Sequence, residues 1–229
     1  ITSYAEFPDL KKKKIKFKRI DGINIYFIDS LFDQSNKINK ILSFIFFSIF
    51  SITKTLSLKV DIVYATSTPL TVIIPALVKR FIQQTPYIFE IRDLWPDIPI
   101  QYRIINNFFL IKFSLILEFL AYKYAKKIVV IIYGFKKHLI KLKKINPNKI
   151  IVITQFCYDY KFKVNLKVNK FFKKNKKYLL YAGGIDLSHN VEYLVYLAKK
   201  IYQKDKNIIF LVYGDGPHYN LVKELAKKK

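Results

Sequence analysis

Short, continuous runs of apolar residues alternate with longer helical patterns along almost the whole chain of 229 residues. Strands covered by helices on both faces lack the polar–apolar alternation of a half-exposed strand, and the later runs lack it too. They predict strands at 23–28, 61–65, 87–91, 128–132, 150–154, 178–181 and 208–213. Helical periodicity predicts helices at 41–56, 70–81, 107–124, 135–143 and 188–202, and another beginning near 217. This order favours an α/β fold with parallel sheets built from βαβ units.

One segment interrupts the alternation and divides the chain. Residues 161–177 are rich in lysine and asparagine with isolated phenylalanines, which is typical of a surface linker. We therefore expect a first α/β domain at 1–155, a linker at 156–177 and the start of a second α/β domain at 178–229. Because methionine is absent and the end lies within a helical pattern, we expect the chain to be incomplete at both ends.

The net charge of +25 is the strongest compositional bias. Only 4 of the 41 basic residues are arginines, which disfavours nucleic acid as a partner because its recognition relies on bidentate guanidinium contacts. Two explanations of the charge stay open: a coding bias towards lysine, and attraction to an anionic membrane surface, for which the basic segment 11–19 is dense enough. The apolar stretch 41–52 is too short to span a bilayer. The almost uniformly apolar helix at 107–124 is interpreted as a core helix.

The most informative motif begins where the predicted strand at 87–91 stops at Arg92 and Asp93. Trp95, the sole tryptophan, follows, and then Pro96 and Asp97. Ligands bind α/β sheets beyond the carboxyl ends of the strands, so charge and a large aromatic there indicate a ligand site. The alternative is a proline-terminated turn in which Trp95 belongs to the core, and the pattern alone leaves both open.

Thr66, Ser67 and Thr68 form a polar turn after the preceding strand, where a helix begins. Their hydroxyls suit either capping of that helix, which we favour, or binding of a polar ligand. The spacing of the three histidines predicts no metal cluster. Cys157 is the sole cysteine, so no disulfide within the chain is expected.

Two glycine-bearing turns follow the strands of the second domain. The first contains Gly183 and Gly184, and the second contains Gly214, Asp215 and Gly216. Glycine lets a backbone approach a ligand closely, and helix N-termini present N–H groups to anions, although glycine also ends strands for steric reasons alone. Together, on successive βα turns, they predict a nucleotide-diphosphate site.

In these motifs the chain resembles the family 4 glycosyltransferases of the GT-B fold, above all the bacterial branch that builds O-antigen, capsule and exopolysaccharide. The resemblance rests on residues 61–70, 89–97, 181–183 and 214–217, and the Arg-Asp-Leu-Trp-Pro-Asp block at 92–97 is the most specific. It implies two Rossmann-like domains facing a cleft. The first would be nearly complete, lacking its first strand, and the second would be truncated.

The resemblance implies a retaining, hexosyltransferase-type enzyme that needs no metal or cofactor. It would move a sugar from a nucleotide-sugar to a polyprenyl-diphosphate-linked saccharide in cell-surface polysaccharide synthesis, in the cytoplasm and peripheral on the inner face of the membrane. Arg92 and Asp93 would be catalytic. The acceptor side would comprise Thr66, Ser67, Thr68, Trp95 and Asp97. Donor binding would fall to Gly183, Gly184, Gly214, Asp215 and Gly216.

The chain also departs from the family pattern. Asp186 stands where the family usually has a second glycine, and Gln155-Phe156 replaces its Asn-Gly turn. The family's Glu-x7-Glu segment would lie beyond Lys229, so we expect the residues present here to be inactive on their own. Two alternatives remain: a non-catalytic truncated paralogue, which the departures favour, and a GT-B-fold sugar-nucleotide epimerase, which the Trp-Pro-Asp block disfavours.

Overall fold

The computed structural model describes residues 1–3, 16–28, 37–67, 69–155, 172–173, 175–186 and 189–227. Thr68, Cys157, the basic positions 11–15 and most of the predicted linker therefore lie outside the described residues. The chain divides into two compact units, Ile1–Cys157 and Tyr158–Lys229.

The first unit begins with a small sheet that the sequence analysis did not fully predict. Strand β1 (Thr2–Ser3) pairs parallel with β3 (Ile23–Ile28), and β2 (Phe17–Ile20) pairs antiparallel with β3. The two-residue turn between β2 and β3 is Asp21-Gly22, with φ values of 49° and 81°, as a tight hairpin requires. Residues 17–19 of the basic segment thus belong to a strand, and the Asp-Gly pair is the local signal that would have predicted it.

Four parallel strands form the main sheet, in the order β4 (Val63–Thr66), β5 (Tyr87–Ile91), β6 (Lys127–Val130) and β7 (Ile150–Val152). Tyr87, Phe89 and Ile91 on β5 are no more than 1% exposed, and Ile128 and Val130 on β6 are fully buried. Val129, which faces opposite to Ile128 and Val130, is also buried, so β6 is covered on both faces, whereas β5 is fully buried on one face and half-buried on the other. The parallel pairing of all four strands confirms the parallel α/β prediction.

Helices connect and cover these strands. They are α1 (Lys37–Ser57), α2 (Ile73–Gln83), α3 (Asp97–Gln101), α4 (Phe108–Tyr124) and α5 (Tyr133–Lys141), with 3-10 turns at Leu70–Val72 and Pro147–Lys149. Asn107 caps α4, because its side chain accepts hydrogen bonds from the N–H groups of Phe109 and Leu110. The short helix α3, directly after the Arg-Asp-Leu-Trp-Pro block, was not predicted.

A buried lysine joins α1 to α2. Lys79 is 1% exposed, and its Nζ donates to the carbonyl oxygens of Thr55 at 3.0 Å and Leu58 at 2.7 Å, and to Gln83 Oε1 at 2.6 Å. The lysine thus satisfies carbonyl groups at and just beyond the C-terminal end of α1, where backbone acceptors lack helical partners.

The core interpretation of helix α4 is wrong for most of its surface. Its buried residues are confined to its second half: Leu117, Glu118, Ala121 and Tyr122. Phe109 is 77% exposed and Phe113 is 52% exposed. A helix that is apolar on all sides has no preferred inward face, so the sequence could not decide how much of it the core would cover.

The second unit is a βαβα segment. Strands β8 (Lys177–Ala182) and β9 (Ile208–Tyr213) pair in parallel, and α6 (Val191–Lys204) connects them before α7 (Tyr219–Lys227). Ile185, Val191 and Val222 form its small core. The parallel pairing confirms the βαβ prediction for this part of the chain.

In the described part of the chain, no helix is both long and apolar enough to cross a membrane. Nor do the residues that the structure describes include a group of three or more His, Cys, Asp or Glu side chains suited to a metal ion.

Candidate functional site

A polar pocket of about 490 Å³ opens at the carboxyl edge of the main sheet. Each of the four strands contributes to it through residues at or beyond its carboxyl end. The lining residues are Thr66 and Ser67 from β4, Arg92 and Asp93 from β5, Ile131 from β6 and Gln155 from β7. The structure therefore brings together four residues that the sequence predicted separately, at the sheet edge where α/β proteins bind ligands.

A second cavity, of about 470 Å³, lies between the N-terminal residues Ile1 and Thr2, α1 and β4. Its surface is mainly apolar, and the described residues that line it include no charged side chain. These described residues offer no side chain to neutralise a phosphate, so the polar pocket is the better candidate site.

Ser67 joins the ends of β4 and β5. Its N–H donates to the carbonyl oxygen of Glu90 at 2.9 Å, and its Oγ accepts from the N–H of Arg92 at 3.1 Å. The residue is only 3% exposed. These bonds fix the backbone from which the Arg92 side chain leaves the sheet, so they give Ser67 a positioning role.

Arg92 and Asp93 are both exposed, and their side chains supply opposite charges to one pocket. The turn after them is tight, because the N–H of Trp95 donates to the Asp93 carbonyl oxygen at 2.9 Å. A guanidinium beside a carboxylate can bind a phosphate or sugar hydroxyl and accept a proton from a hydroxyl group.

Trp95 and Asp97 were predicted on the acceptor side, but neither lines this pocket. Trp95 is partly buried and packs against the core of the first unit. The Asp97 carboxylate bonds His138 Nε2 at 2.8 Å and Lys143 Nζ at 2.7 Å. The structure thus shows core packing for Trp95 and ion pairing for Asp97, and their assignment to the acceptor side stays a prediction.

Asp97 belongs to an ion-pair network that fastens α3 to α4 and α5. Lys143, just beyond α5, also donates to Glu118 Oε2 of α4 at 2.9 Å. Burial raises the pKa of Glu118, and the hydrogen bond and charge of Lys143 only partly oppose this rise. Burial would lower the pKa of Lys143, but its hydrogen bonds to Asp97 and Glu118 outweigh burial and raise it. Burial, reinforced by Glu118, raises the pKa of Tyr122 well above its ordinary value.

The two glycine turns of the second unit are joined by backbone hydrogen bonds. The N–H of Gly183 donates to the Tyr213 carbonyl at 3.0 Å, and the N–H of Ile185 donates to the Asp215 carbonyl at 2.9 Å. The N–H of His218 donates to the Ile185 carbonyl at 3.0 Å. These N–H groups therefore have protein partners at the turns where a diphosphate was expected.

Two of the predicted donor-site glycines have a steric reason to be glycine. A Cβ at Gly214 would collide with the carbonyl oxygen of Gly183, and a Cβ at Gly216 would collide with that of Ile185. Among the described residues, the nearest neighbours of a Cβ added at Gly184 are side-chain atoms of Asp186 and His189 at 3.4 Å, an ordinary contact distance. His189 Nδ1 and Asp186 Oδ1 pair at 2.9 Å, so the acid that replaces a family glycine has a histidine beside it.

The sequence analysis did not identify four residues that the geometry brings forward as site or supporting residues. Gln155 directly follows the predicted strand at 150–154, so the strand-end rule that found Arg92 would have found it. Glu118, His138 and Lys143 carried no local signal, because they meet Asp97 from distant parts of the chain.

The described units define the class: an α/β protein of Rossmann-like, GT-B type. No protein-family model matches the chain, and no curated protein does. Among solved structures, the chain is similar to the crystal structure of a glycosyltransferase from Rickettsia africae ESF-5, with 18% sequence identity and a TM-score of 0.52. The match covers 98% of this chain and 55% of that one, so this chain spans about half the length of its structural neighbour.

Proposed function

We propose that the protein is a glycosyltransferase that moves a sugar from a nucleotide-sugar to a lipid-linked saccharide in cell-surface polysaccharide synthesis. The observation that carries the proposal is the polar pocket that places Arg92, Asp93, Thr66 and Gln155 at one sheet edge. The similarity in fold to a solved glycosyltransferase supports it.

Sugar transfer makes two demands that this pocket suits. The bond between the anomeric carbon and a diphosphate oxygen breaks, so negative charge develops on the leaving group. The acceptor oxygen bonds to the same carbon, and its proton has to pass to a base. We propose that the Arg92 guanidinium stabilises the charge on the leaving diphosphate and that the Asp93 carboxylate accepts the proton of the acceptor hydroxyl. Thr66 and Gln155 would orient the acceptor through their hydroxyl and amide groups.

The finer features of the proposal rest on the family 4 resemblance. They are retention of the anomeric configuration, a polyprenyl-diphosphate-linked acceptor, the absence of a metal cofactor, and assignment to the O-antigen, capsule and exopolysaccharide branch. Donor binding would use the turns at Gly183-Gly184 and Gly214-Asp215-Gly216, at the start of the helices that follow β8 and β9.

A non-catalytic relative of such enzymes is the second candidate. This candidate is favoured because the N–H groups of Gly183 and Ile185 already donate hydrogen bonds to carbonyl oxygens of the glycine turns, where a donor diphosphate would need them. The carboxylate of Asp186 in the first turn would also repel a diphosphate. Such a protein would keep the fold and the acceptor-side pocket without turning over a nucleotide-sugar.

The test is sugar transfer by the purified full-length protein, with a panel of nucleotide-sugars and a polyprenyl-diphosphate saccharide. Transfer is measured as nucleoside diphosphate released and lipid-linked product formed. Asp93→Asn should lower turnover about 100-fold or more, in the range of lost acid–base catalysis. Asp61→Asn is the matched control, since Asp61 is exposed and lies before β4 at the opposite sheet edge. Full turnover by Asp93→Asn would remove Asp93 from catalysis. Nucleotide binding without turnover of any donor would favour the non-catalytic candidate.

A further inference from the structure

We propose that His138 is a positioning residue for sugar transfer, which holds Arg92 and Asp93 in place by binding Asp97. This inference rests on the proposed function, because it gives a task to a side chain outside the pocket in which transfer would occur. His138 does not line the polar pocket, and its Nε2 lies 2.8 Å from Asp97 Oδ2. An ionised carboxylate only accepts hydrogen bonds, so the Nε2–H group of His138 is the donor.

The hydrogen bond between His138 and Asp97 ties together two helices that leave neighbouring strand ends. Strands β5 and β6 pair side by side up to their carboxyl ends. From there β5 continues through Arg92 and Asp93 into α3, whereas β6 continues through Ile131 into α5. Asp97 begins α3 and His138 lies on α5, so their bond braces the pocket residues that follow both strands.

Backbone hydrogen bonds couple α3 to the turn that carries the pocket side chains. The N–H of Trp95 donates to the Asp93 carbonyl oxygen at 2.9 Å, and the N–H of Ile98 donates to the Leu94 carbonyl oxygen at 2.9 Å. The turn and the helix therefore form one continuous unit. Because α3 has only 5 residues, its own hydrogen bonds do not make it stable, and tertiary contacts have to hold it.

Asp97 supplies directional contacts that apolar packing does not. Leu94 and Trp95 pack against the core, but apolar packing is non-directional and fixes the orientation of the turn only weakly. The two oxygens of the Asp97 carboxylate are bound separately, Oδ2 by His138 and Oδ1 by Lys143 at 2.7 Å. Loss of His138 would leave the carboxylate bound at one oxygen, so α3 and the turn could pivot about Lys143.

Steady-state sugar transfer by the purified full-length protein tests the proposal. His138→Ala should lower kcat about tenfold or more, because a misplacement of about 1 Å at a reacting group costs up to about 100-fold. The KM for the nucleotide-sugar should change less than about twofold, since the glycine turns that would bind the donor lie in the second unit. His138→Gln should keep most of the activity, because its amide N–H can replace the Nε2–H group as the donor to Asp97.

The matched control is Lys137→Ala, which removes an exposed side chain one position away on α5 and should leave kcat unchanged. A double-mutant cycle with Asp97→Ala tests whether His138 acts through Asp97. In the Asp97→Ala background, His138→Ala should lower kcat less than about twofold, because the bond that it removes is already lost.

Hydrogen exchange measured by mass spectrometry gives a readout that needs no turnover. The side chains of His138 and Asp97 are 22% and 31% exposed, so their bond should contribute little to the stability of the whole unit. His138→Ala should therefore speed exchange at the N–H groups of Trp95 and Ile98 about tenfold or more and leave α2 as protected as in the wild type. Circular dichroism checks that each variant is folded.

Three results would overturn the proposal. The first is an unchanged kcat in His138→Ala. The second is exchange that rises equally in the turn and in α2, which would show a purely structural role. The third is a full loss of kcat from His138→Ala in the Asp97→Ala background, which would show that His138 acts directly on the substrate. Absence of transfer by the wild type would instead refute the proposed function, and the exchange data would still decide whether His138 holds the turn.

Discussion

The Lys143→Met substitution removes the cation that bridges Asp97 and Glu118 while keeping an unbranched side chain. Glu118 is 4% exposed, so its carboxylate would remain buried with Tyr122 as its neighbour and without a cation. Removing one partner of a buried ion pair costs about 3–5 kcal/mol. Because the side chains of Lys143 and Asp97 are 20% and 31% exposed, we take the lower end, about 3 kcal/mol. For a chain of this size, that corresponds to a fall in Tm of about 6–12 °C.

The effect should depend on pH in a defined direction. Burial already raises the pKa of Glu118 above its ordinary value, and loss of Lys143 would raise this pKa further. A carboxyl group with a raised pKa in the folded state stabilises the fold fully below its unfolded pKa. That stability is lost as the pH rises through the folded pKa. Lys143→Met should therefore cost more at pH 8 than at pH 5.

Urea unfolding of four proteins in a double-mutant cycle measures this effect: wild type, Lys143→Met, Glu118→Gln and the double variant. Glu118→Gln keeps the side-chain shape and removes the buried charge, so the double variant should recover about 2 kcal/mol of the loss. The reasoning would be refuted if Lys143→Met cost less than about 1 kcal/mol, as an exposed pair would. The reasoning would also be refuted if the double variant lost as much stability as Lys143→Met alone.

Two further substitutions test other parts of the fold. Lys79→Met should lower the free energy of unfolding in urea by about 3 kcal/mol, because carbonyl groups at the end of α1 lose their donor. The control is Lys127→Met, at an exposed lysine, which should lower it by less than about 0.5 kcal/mol. Gly214→Ala should destabilise the second unit by about 1–3 kcal/mol and speed hydrogen exchange near Gly183. The control is Gly134→Ala, whose added Cβ would make an ordinary 3.7 Å contact and should not destabilise the protein in this way. Equal effects of the two substitutions would exclude the steric explanation.

The strand predictions succeeded because their signals are local. The run at 87–91 could be read from its own residues, and the structure forms β5 over the same residues. The helix predicted at 135–143 is shifted by two residues to Tyr133–Lys141, because an apolar pattern defines a helix better than its ends. Strand β2 was not predicted because its residues carry the charge of the basic segment 11–19, although Asp21-Gly22 is a local hairpin signal.

The candidate site was predicted in part. Thr66, Ser67, Arg92 and Asp93 were chosen because they follow strands, and parallel strands bring their carboxyl ends to one edge. Trp95 and Asp97 were chosen as an aromatic and a charge just beyond the end of a strand, and the family resemblance assigned them to the acceptor side. In the structure Trp95 packs against the core and Asp97 joins an ion-pair network, and neither lines the polar pocket.

The sequence by itself determined the α/β class, the order of the elements and the strand ends at which a site could form. These features follow from residues within one turn or one strand, where apolar pattern, glycine and proline act directly on the local backbone. Only the tertiary structure decided that Gln155 joins Arg92, that Lys143 bridges Asp97 and Glu118, and that the apolar helix α4 faces outward. Each of these three features depends on residues that are distant in sequence, and the packing of the whole core decides which of them come into contact.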